Sequence, residues 1–374
     1  MMRVLYVLPQ AELGGAERVT LDLLALHDRA VIEPLACFLR PGPLVEHCRD
    51  RLGVSASVVE APALRQIGAA RRAVRAIAEL ARAEGATLVH SVMAWGHLYG
   101  GRAARQARIP AVWFQHATPS WRSALEVAAS LVPARRILAN SRHTAGFQSR
   151  LNPRGVPIAT IHPGTRIPEE PRSVRRARGR AALGLSEEVL AVGLAARLQR
   201  WKGHEVFLRA GALLCRARSP ARLFLIGTNA FGLEPEYPDA LRHLAAELGI
   251  ADRVVFTGHR DDVPDCLAAM DVAVHASTSP EPFGLGVIET MAAGTPIVAA
   301  EGGATAEIVT SGHDGVLVPA GDPESLAVTL LALCDDPDTR IRLAEAGECT
   351  ARERFDAVTM TRAVEAVYAE ILGK

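Results

Sequence analysis

Short apolar runs alternate with amphipathic stretches along nearly the whole chain. In the first half, RVLYVL (3–8), EPLACFL (33–39), SASVVE (55–60), TLVHS (87–91), AVWFQ (111–115), RILAN (136–140) and PIATIH (157–162) predict strands. Stretches of helical period separate most of them, and QIGAARRAVRAIAELARAEG predicts a helix closed by Gly85 as its C-cap. In the second half, VLAVGLA (189–195), RLFLIG (222–227), RVVFTG (253–258), DVAVHA (271–276) and PIVAA (296–300) predict strands with helices between them. Three further helices, near 323–334, 337–349 and 357–371, close the chain. Strands apolar on both faces and joined by helices belong to a parallel sheet covered on both sides. The segment PGTRIPEEPRSVRR, with three prolines and clustered charge, breaks the pattern and reads as a linker. The expected fold class is α/β, with two doubly wound parallel-sheet (Rossmann-like) domains facing across a cleft.

Length agrees, since 374 residues exceed one average core. With 49% hydrophobic and 22% charged residues the composition is that of a soluble globular protein. MMRVLYVLPQ has no basic region ahead of an apolar run, and no apolar stretch reaches the roughly 18 residues of a spanning helix. A cytoplasmic protein is expected. The six cysteines show no C-x-x-C pairing and read as reduced core thiols, neither disulfides nor metal ligands.

The net charge of +1 hides an asymmetry. Residues 1–167 carry 21 arginines against 11 acidic residues, a net +10, and the remainder is −9. In the helix RQIGAARRAVRAIAELAR, which also carries Arg65 and Arg72, residues Arg71, Arg75 and Arg82 share a face bordered by Ala and Ile. Such a face suits an anionic ligand, or salt-sensitive peripheral association with the inner face of an anionic membrane. The alternative is a soluble neutral ligand, with the arginines solvating the surface. Nucleic acid is not among the expected partners.

Three stretches carry candidate chemistry. In PQAELGGAERVTLDLL the adjacent Gly14 and Gly15 open a helix after the first strand. They allow close approach of the backbone to an anion, or simply form a tight loop. This is not G-x-G-x-x-G, and no acidic residue closes the second strand, so a nicotinamide cofactor is disfavoured. In AARLQRWKGHEVFLRA, Arg197 follows a strand and Lys202 precedes a helix, two cations placed to clamp a diphosphate or to sit as surface charges. As loop cations they are expected to matter for turnover and little for stability. In SPEPFGLGVIETMAAGTPIVAA, an unbroken helix would hold Glu281 and Glu289 about 12 Å apart along its axis, too far for a glycosidase acid/base pair. The better reading puts Glu281 in a turn and starts the helix near Gly284. The amides of Phe283, Gly284 and Leu285 then face an anion, and Glu289 faces a diol. His90 and His275 end strands and read as packed histidines, and His162 as a linker residue. Asp336-Pro337-Asp338 reads as a turn and N-cap.

Together these stretches resemble glycosyltransferase family 4 (glycosyl transferases group 1), retaining enzymes of the GT-B fold. Glu281 and Glu289 match its glutamate-x7-glutamate motif, Arg197 and Lys202 its arginine–lysine pair, Gly14-Gly15 its amino-terminal loop, and His116 its histidine after a middle strand. GTP and EGGATAEIV downstream also fit. Two departures stand out. Ala196 replaces the glycine before the arginine, and HPGTR (162–166) replaces the asparagine–glycine signature at the interdomain crossing. The resemblance implies an acceptor-binding domain over 1–165, a nucleotide-sugar domain over 166–355, and a C-terminal helix within 356–374 packing back toward the first domain. It implies that Arg197 and Lys202 bind the leaving diphosphate, and that Glu289 holds the ribose. Glu281 and the amides of Phe283 to Leu285 would hold the donor sugar, which His116 approaches from the other domain. Gly15 would meet the phosphates and Gly258-His259 lie near the base. The implied reaction moves a sugar from a nucleotide-sugar (UDP foremost, GDP or another base as alternatives) to an acceptor hydroxyl on a saccharide, lipid-linked glycan or natural product. No cofactor and no metal are implied. Rival readings are a nucleotide-sugar epimerase and a non-catalytic nucleotide-sugar-binding protein. A phosphorylase is disfavoured because only Lys202 and Lys374 are available to hold pyridoxal phosphate.

Overall fold

The computed structural model describes residues 1–63, 65–217, 221–229 and 232–373. Two compact units emerge, one of Met1–Gly164 with Ala357–Lys374 and one of Thr165–Asp356. The first holds seven strands: β1 (Met2–Leu8), β2 (Ile32–Phe38), β3 (Ser55–Val58), β4 (Leu88–Val92), β5 (Ala111–Gln115), β6 (Arg136–Ala139) and β7 (Ile158–Thr160). The second holds β8 (Leu190–Ala195), β9 (Ala221–Ile226), β10 (Val254–Gly258), β11 (Val272–His275), β12 (Ile297–Glu301) and β13 (Val316–Pro319). Among the described residues these strands pair in parallel, in the orders β3-β2-β1-β4-β5-β6-β7 and β10-β9-β8-β11-β12-β13. Each of the first twelve strands lies where its apolar run predicts. The thirteenth was not foreseen, because GVLVP offers only four strand residues between a glycine and a proline.

Both orders reverse direction once, between β1 and β4 in the first sheet and between β8 and β11 in the second. In doubly wound sheets the connections leave to opposite sides at that point and open a crevice at the carboxyl ends of the strands. The Gly14-Gly15 loop follows β1, the Arg197–Lys202 loop follows β8, and the Glu281 loop follows β11. The expected linker is shorter than its proline content suggests. Pro171, with φ −55° and ψ 144°, caps a helix that begins at Arg172 and takes up the last arginines of the segment.

The basic helix spans Ile67–Ala83 and buries Ala70, Ala73, Ile77, Ala78 and Ala81. Gly85, at φ +63°, ends the turn beyond it. Arg71, Arg72, Arg75 and Arg82 are exposed, and Arg82 donates to the Gln106 carbonyl. Asp336 caps the helix Pro337–Arg354 by accepting the Thr339 amide at 2.9 Å. Among the described residues no helix is long and apolar enough to cross a membrane.

The last helix, Ala357–Leu372, completes the first unit through a buried chain of polar groups. Glu365 Oε1 accepts from the Asp28 amide and from His27 Nδ1, both at 3.0 Å. Burial favours the neutral acid, but hydrogen bonds from Arg362, His27 and the Asp28 amide hold the Glu365 carboxyl below its usual range. A carboxylate only accepts, so His27 Nδ1 bears a proton. Burial also lowers the His27 pKa, so Nε2 is the acceptor for Tyr6 OH at 2.6 Å. Tyr368 OH then donates to Tyr6 at 2.8 Å, and His90 Nδ1 donates to Tyr368 at 2.5 Å. The His90 ring stacks on Tyr6 with centroids 4.6 Å apart. Every donor points toward Glu365. Tyr368→Phe strands the His90 Nδ1–H in the core, and orphaned buried groups cost about 1–3 kcal/mol each. Denaturant melts of the intact chain are expected to lose about 2–3 kcal/mol in the transition of the first unit, while Arg362→Ala, at the exposed end, is expected to move that transition far less.

Candidate active site

The site in the second unit is built from three loops at the β8/β11 reversal. Beyond β8, the amides of Ala196 and Leu198 bond to the carbonyls of Ile226 and Thr228, so Arg197 leaves the sheet on a fixed backbone and is half-buried. A short 3₁₀ turn, Arg200–Lys202, precedes the helix His204–Ala217. Gly203 between them has φ +73°, and a Cβ there would lie 1.8 Å from the Ala276 carbonyl oxygen. Only glycine permits that approach. The Trp201 carbonyl accepts the Thr278 amide at 2.8 Å, joining this turn to the loop beyond β11. Lys202 Nζ rests 3.9 Å from the Trp201 ring centroid.

Glu281 lies ahead of the helix and not within it, as the sequence suggests, and its backbone forms an isolated parallel bridge with Gly303 in the loop after β12. Its carbonyl accepts the Ala304 amide at 2.9 Å. Gly303, at φ +64°, sits so close that a Cβ would lie 2.1 Å from the Glu281 oxygen. The EGGATAEIV stretch therefore acts on the site through main chain. The helix that follows spans Leu285–Ala292, with Gly284 (φ +114°) as an N-cap that supplies no side-chain hydrogen bond. Phe283 is buried and meets Phe355 edge-on at 5.9 Å. Glu289, in the second turn, is partly exposed, whereas Val287, Ile288 and Met291 face the core.

The Glu281 side chain is 6% exposed, and its Oε1 receives Lys202 Nζ at 2.5 Å, Ser277 Oγ at 2.6 Å and His275 Nε2 at 3.0 Å. Burial pushes its pKa up, but the hydrogen bond and charge of His275, with those of Lys202, outweigh burial and hold the carboxyl well below the usual range. His275 is thus a packed histidine whose partner is the site glutamate itself. Ser277 was missed. A serine two residues past a strand carries no signal until the fold returns Glu281 to it.

Gly258, at φ +70°, ends β10 and accepts the Gly227 amide at 3.1 Å; His259 is exposed beside Asp261. In the first unit, Gly14 caps the helix Gly15–Leu26 without a side-chain hydrogen bond. His116 packs on Phe114 with centroids 4.1 Å apart, and its carbonyl accepts Asn140 Nδ2 at 3.0 Å. Its Nε2 is enclosed with no hydrogen-bond partner among the described residues, and burial pushes its pKa down to about 3. The imidazole is neutral at physiological pH.

Residues 176–349 match the family described as Glycosyl transferases group 1, and residues 13–167 match Glycosyltransferase Family 4. A D-inositol 3-phosphate glycosyltransferase of Streptomyces scabiei (strain 87.22) is 32% identical over 387 residues, covering 97% of this chain and 85% of that protein. The chain belongs to glycosyltransferase family 4. Among solved structures, this glycosyltransferase is similar to Anabaena HepE, crystallised with UDP and glucose, at a TM-score of 0.87 and 26% identity over 99% of this chain and 100% of that one. HepE has also been crystallised with UDP-glucose. A glycosyltransferase from Rickettsia africae, 18% identical over 99% and 98% of the two chains, shares the GT-B fold at a TM-score of 0.85.

The buried pair revises one expectation from the sequence. Lys202 is a structural cation as well as a candidate ligand, because its removal leaves Glu281 with one fewer donor in the interior. Breaking one side of a buried pair costs about 3–5 kcal/mol. Lys202→Ala is expected to lower the stability of the second unit by about 3 kcal/mol at pH 7, with half-exposed Arg197→Ala losing far less. The depressed Glu281 pKa contributes stability above the unfolded carboxyl value and loses it as pH falls. In Lys202→Ala that loss sets in at higher pH, which denaturation between pH 4 and 7 measures.

Proposed function

We propose that the protein is a retaining, metal-independent glycosyltransferase that moves a sugar from a UDP-sugar to an acceptor hydroxyl. The observation that carries this reading is the ionised, buried Glu281 held beside Lys202 at the reversal of the second sheet, next to an uncapped helix N-terminus. UDP as the nucleotude carrier is supported by the HepE complexes. Arg197 and Lys202 neutralise the leaving diphosphate, where negative charge develops as the glycosidic bond breaks. Main-chain amides at Phe283, Gly284 and Leu285 and at the Gly14-Gly15 helix start add oriented dipoles without a metal ion. Glu289 holds the ribose hydroxyls, Glu281 a sugar hydroxyl, and Gly258-His259 the base. His116, neutral through burial, serves the donor sugar as a hydrogen-bonding group and not as a cation.

The acceptor belongs to the first unit, whose arginine excess favours an anionic group. The name of the Streptomyces relative points the same way, toward a phosphorylated cyclitol. Retention follows the family, by front-face displacement in which an oxygen of the departing β-phosphate takes the acceptor proton.

Release of UDP from UDP-glucose is expected only once an acceptor is added, from a panel including D-inositol 3-phosphate, and to persist in excess EDTA. Release without any acceptor, or metal-reversible loss of activity, contradicts the reading. Calorimetry separates the two glutamates: Glu289→Ala is expected to weaken free UDP about tenfold or more, Glu281→Ala chiefly UDP-glucose, at the 1.5–3 kcal/mol typical of hydrogen bonds to charged groups.

A further inference from the structure

The three side-chain hydrogen bonds to Glu281 all arrive at Oε1. A carboxylate offers two oxygens with about four acceptor sites between them, so this distribution is imposed by the surroundings and not by the group itself. The donors come from both sides of the sheet reversal. Lys202 belongs to the turn after β8, while His275 ends β11 and Ser277 lies two residues beyond it. The Trp201–Thr278 hydrogen bond and the close Gly203–Ala276 contact lock those two segments together, so the three donors form one rigid set.

Because a carboxylate only accepts, His275 Nε2 bears the proton that it shares with Glu281. Its other ring nitrogen is buried and has no hydrogen-bond partner among the described residues. Its polar contacts are to Glu281 and, at 3.4 Å, to Ser277 Oγ. The ammonium of Lys202 and the titratable ring of His275 bond to Glu281, and the loop after β12 meets it with backbone. Lys202 alone does not fix the carboxylate, since an ammonium is a point charge that either oxygen satisfies.

We propose that His275 and Ser277 are positioning residues that saturate Oε1 of Glu281 and so present Oε2 as a pure hydrogen-bond acceptor to a hydroxyl of the donor sugar. The proposal rests on the donor-binding reading of Glu281 above. It also defines what this subsite takes. The facing group on the sugar must donate, so a free hydroxyl fits, while an O-methyl, deoxy or carboxylate substituent leaves Oε2 buried without a partner or against a like charge. Sites built to bond a substrate hydroxyl discriminate strongly against analogues that lack it.

The test is calorimetric binding of UDP and of UDP-glucose across pH to the full chain and to His275→Leu, His275→Gln and Ser277→Ala. His275→Leu and Ser277→Ala are expected to weaken UDP-glucose about tenfold or more, as for a lost hydrogen bond to a charged group, while UDP changes less than about twofold. With a donor gone, the Glu281 pKa rises, so the acid limb of UDP-glucose binding moves toward neutral pH in His275→Leu. His275→Gln, which keeps an N–H near the same place, recovers most of the affinity. Equal weakening of both ligands, an unmoved acid limb, or wild-type affinity in both variants overturns the proposal while leaving the donor site in place. Failure of the unaltered protein to bind UDP-glucose overturns the donor reading and this proposal together.

Discussion

A carboxylate enters a protein interior only with donors waiting for it, and the second unit is arranged around that requirement at Glu281. An unpaired ionised group in such a place would simply take up a proton. Here the histidine and the serine stand six and four residues before the carboxylate and the lysine 79 residues before it, and the two segments are placed by main-chain contacts that tolerate no side chain. Gly203 lets the lysine turn lie against Ala276, and Gly303 lets the loop after β12 lie against Glu281 itself. The glycines thus hold the charge constellation together as surely as the charged groups do. Alanine at either position forces backbone apart before any catalytic group is touched.

The choice of cation follows from the same geometry. The chain has two lysines and forty arginines, and one of the two lysines stands at Glu281. Elsewhere arginine forks span several acceptors, as Arg180 does with the carbonyls of Ala269, Ser186 and Val189. At Glu281 a single oxygen must be met alongside two other donors. A compact ammonium meets that one oxygen, whereas a planar guanidinium fork would engage both carboxylate oxygens and occupy Oε2 as well.

Much of this was legible in the sequence. Continuous apolar runs fixed twelve of the strands because strands buried on both faces admit little else, and the spacing of Glu281, Gly284 and Glu289 distinguished a turn followed by a helix from a single long helix. What escaped has a common physical cause. His275 and Ser277 gain their meaning from a carboxylate that returns to them through a loop, and Lys202 gains its structural role from the same return. No local period or propensity encodes such a contact. The short strand β13 and the early helix at Arg172 escaped for a different reason, since proline and glycine mark boundaries without saying which element they bound.

The tyrosine that finishes the polar chain of the first unit stands 362 residues from its partner Tyr6. Synthesis at the ribosome proceeds from the amino terminus, and domains generally fold as they emerge. The first unit departs from that order. Its amino-terminal sheet leaves the tunnel with Tyr6, His27 and His90 lacking their final partner, and it must wait until the entire second unit has been translated. Topologically the second unit is an insertion within the first. Between those two moments the face that will receive the last helix stays open, a window in which a nascent-chain chaperone has something to cover.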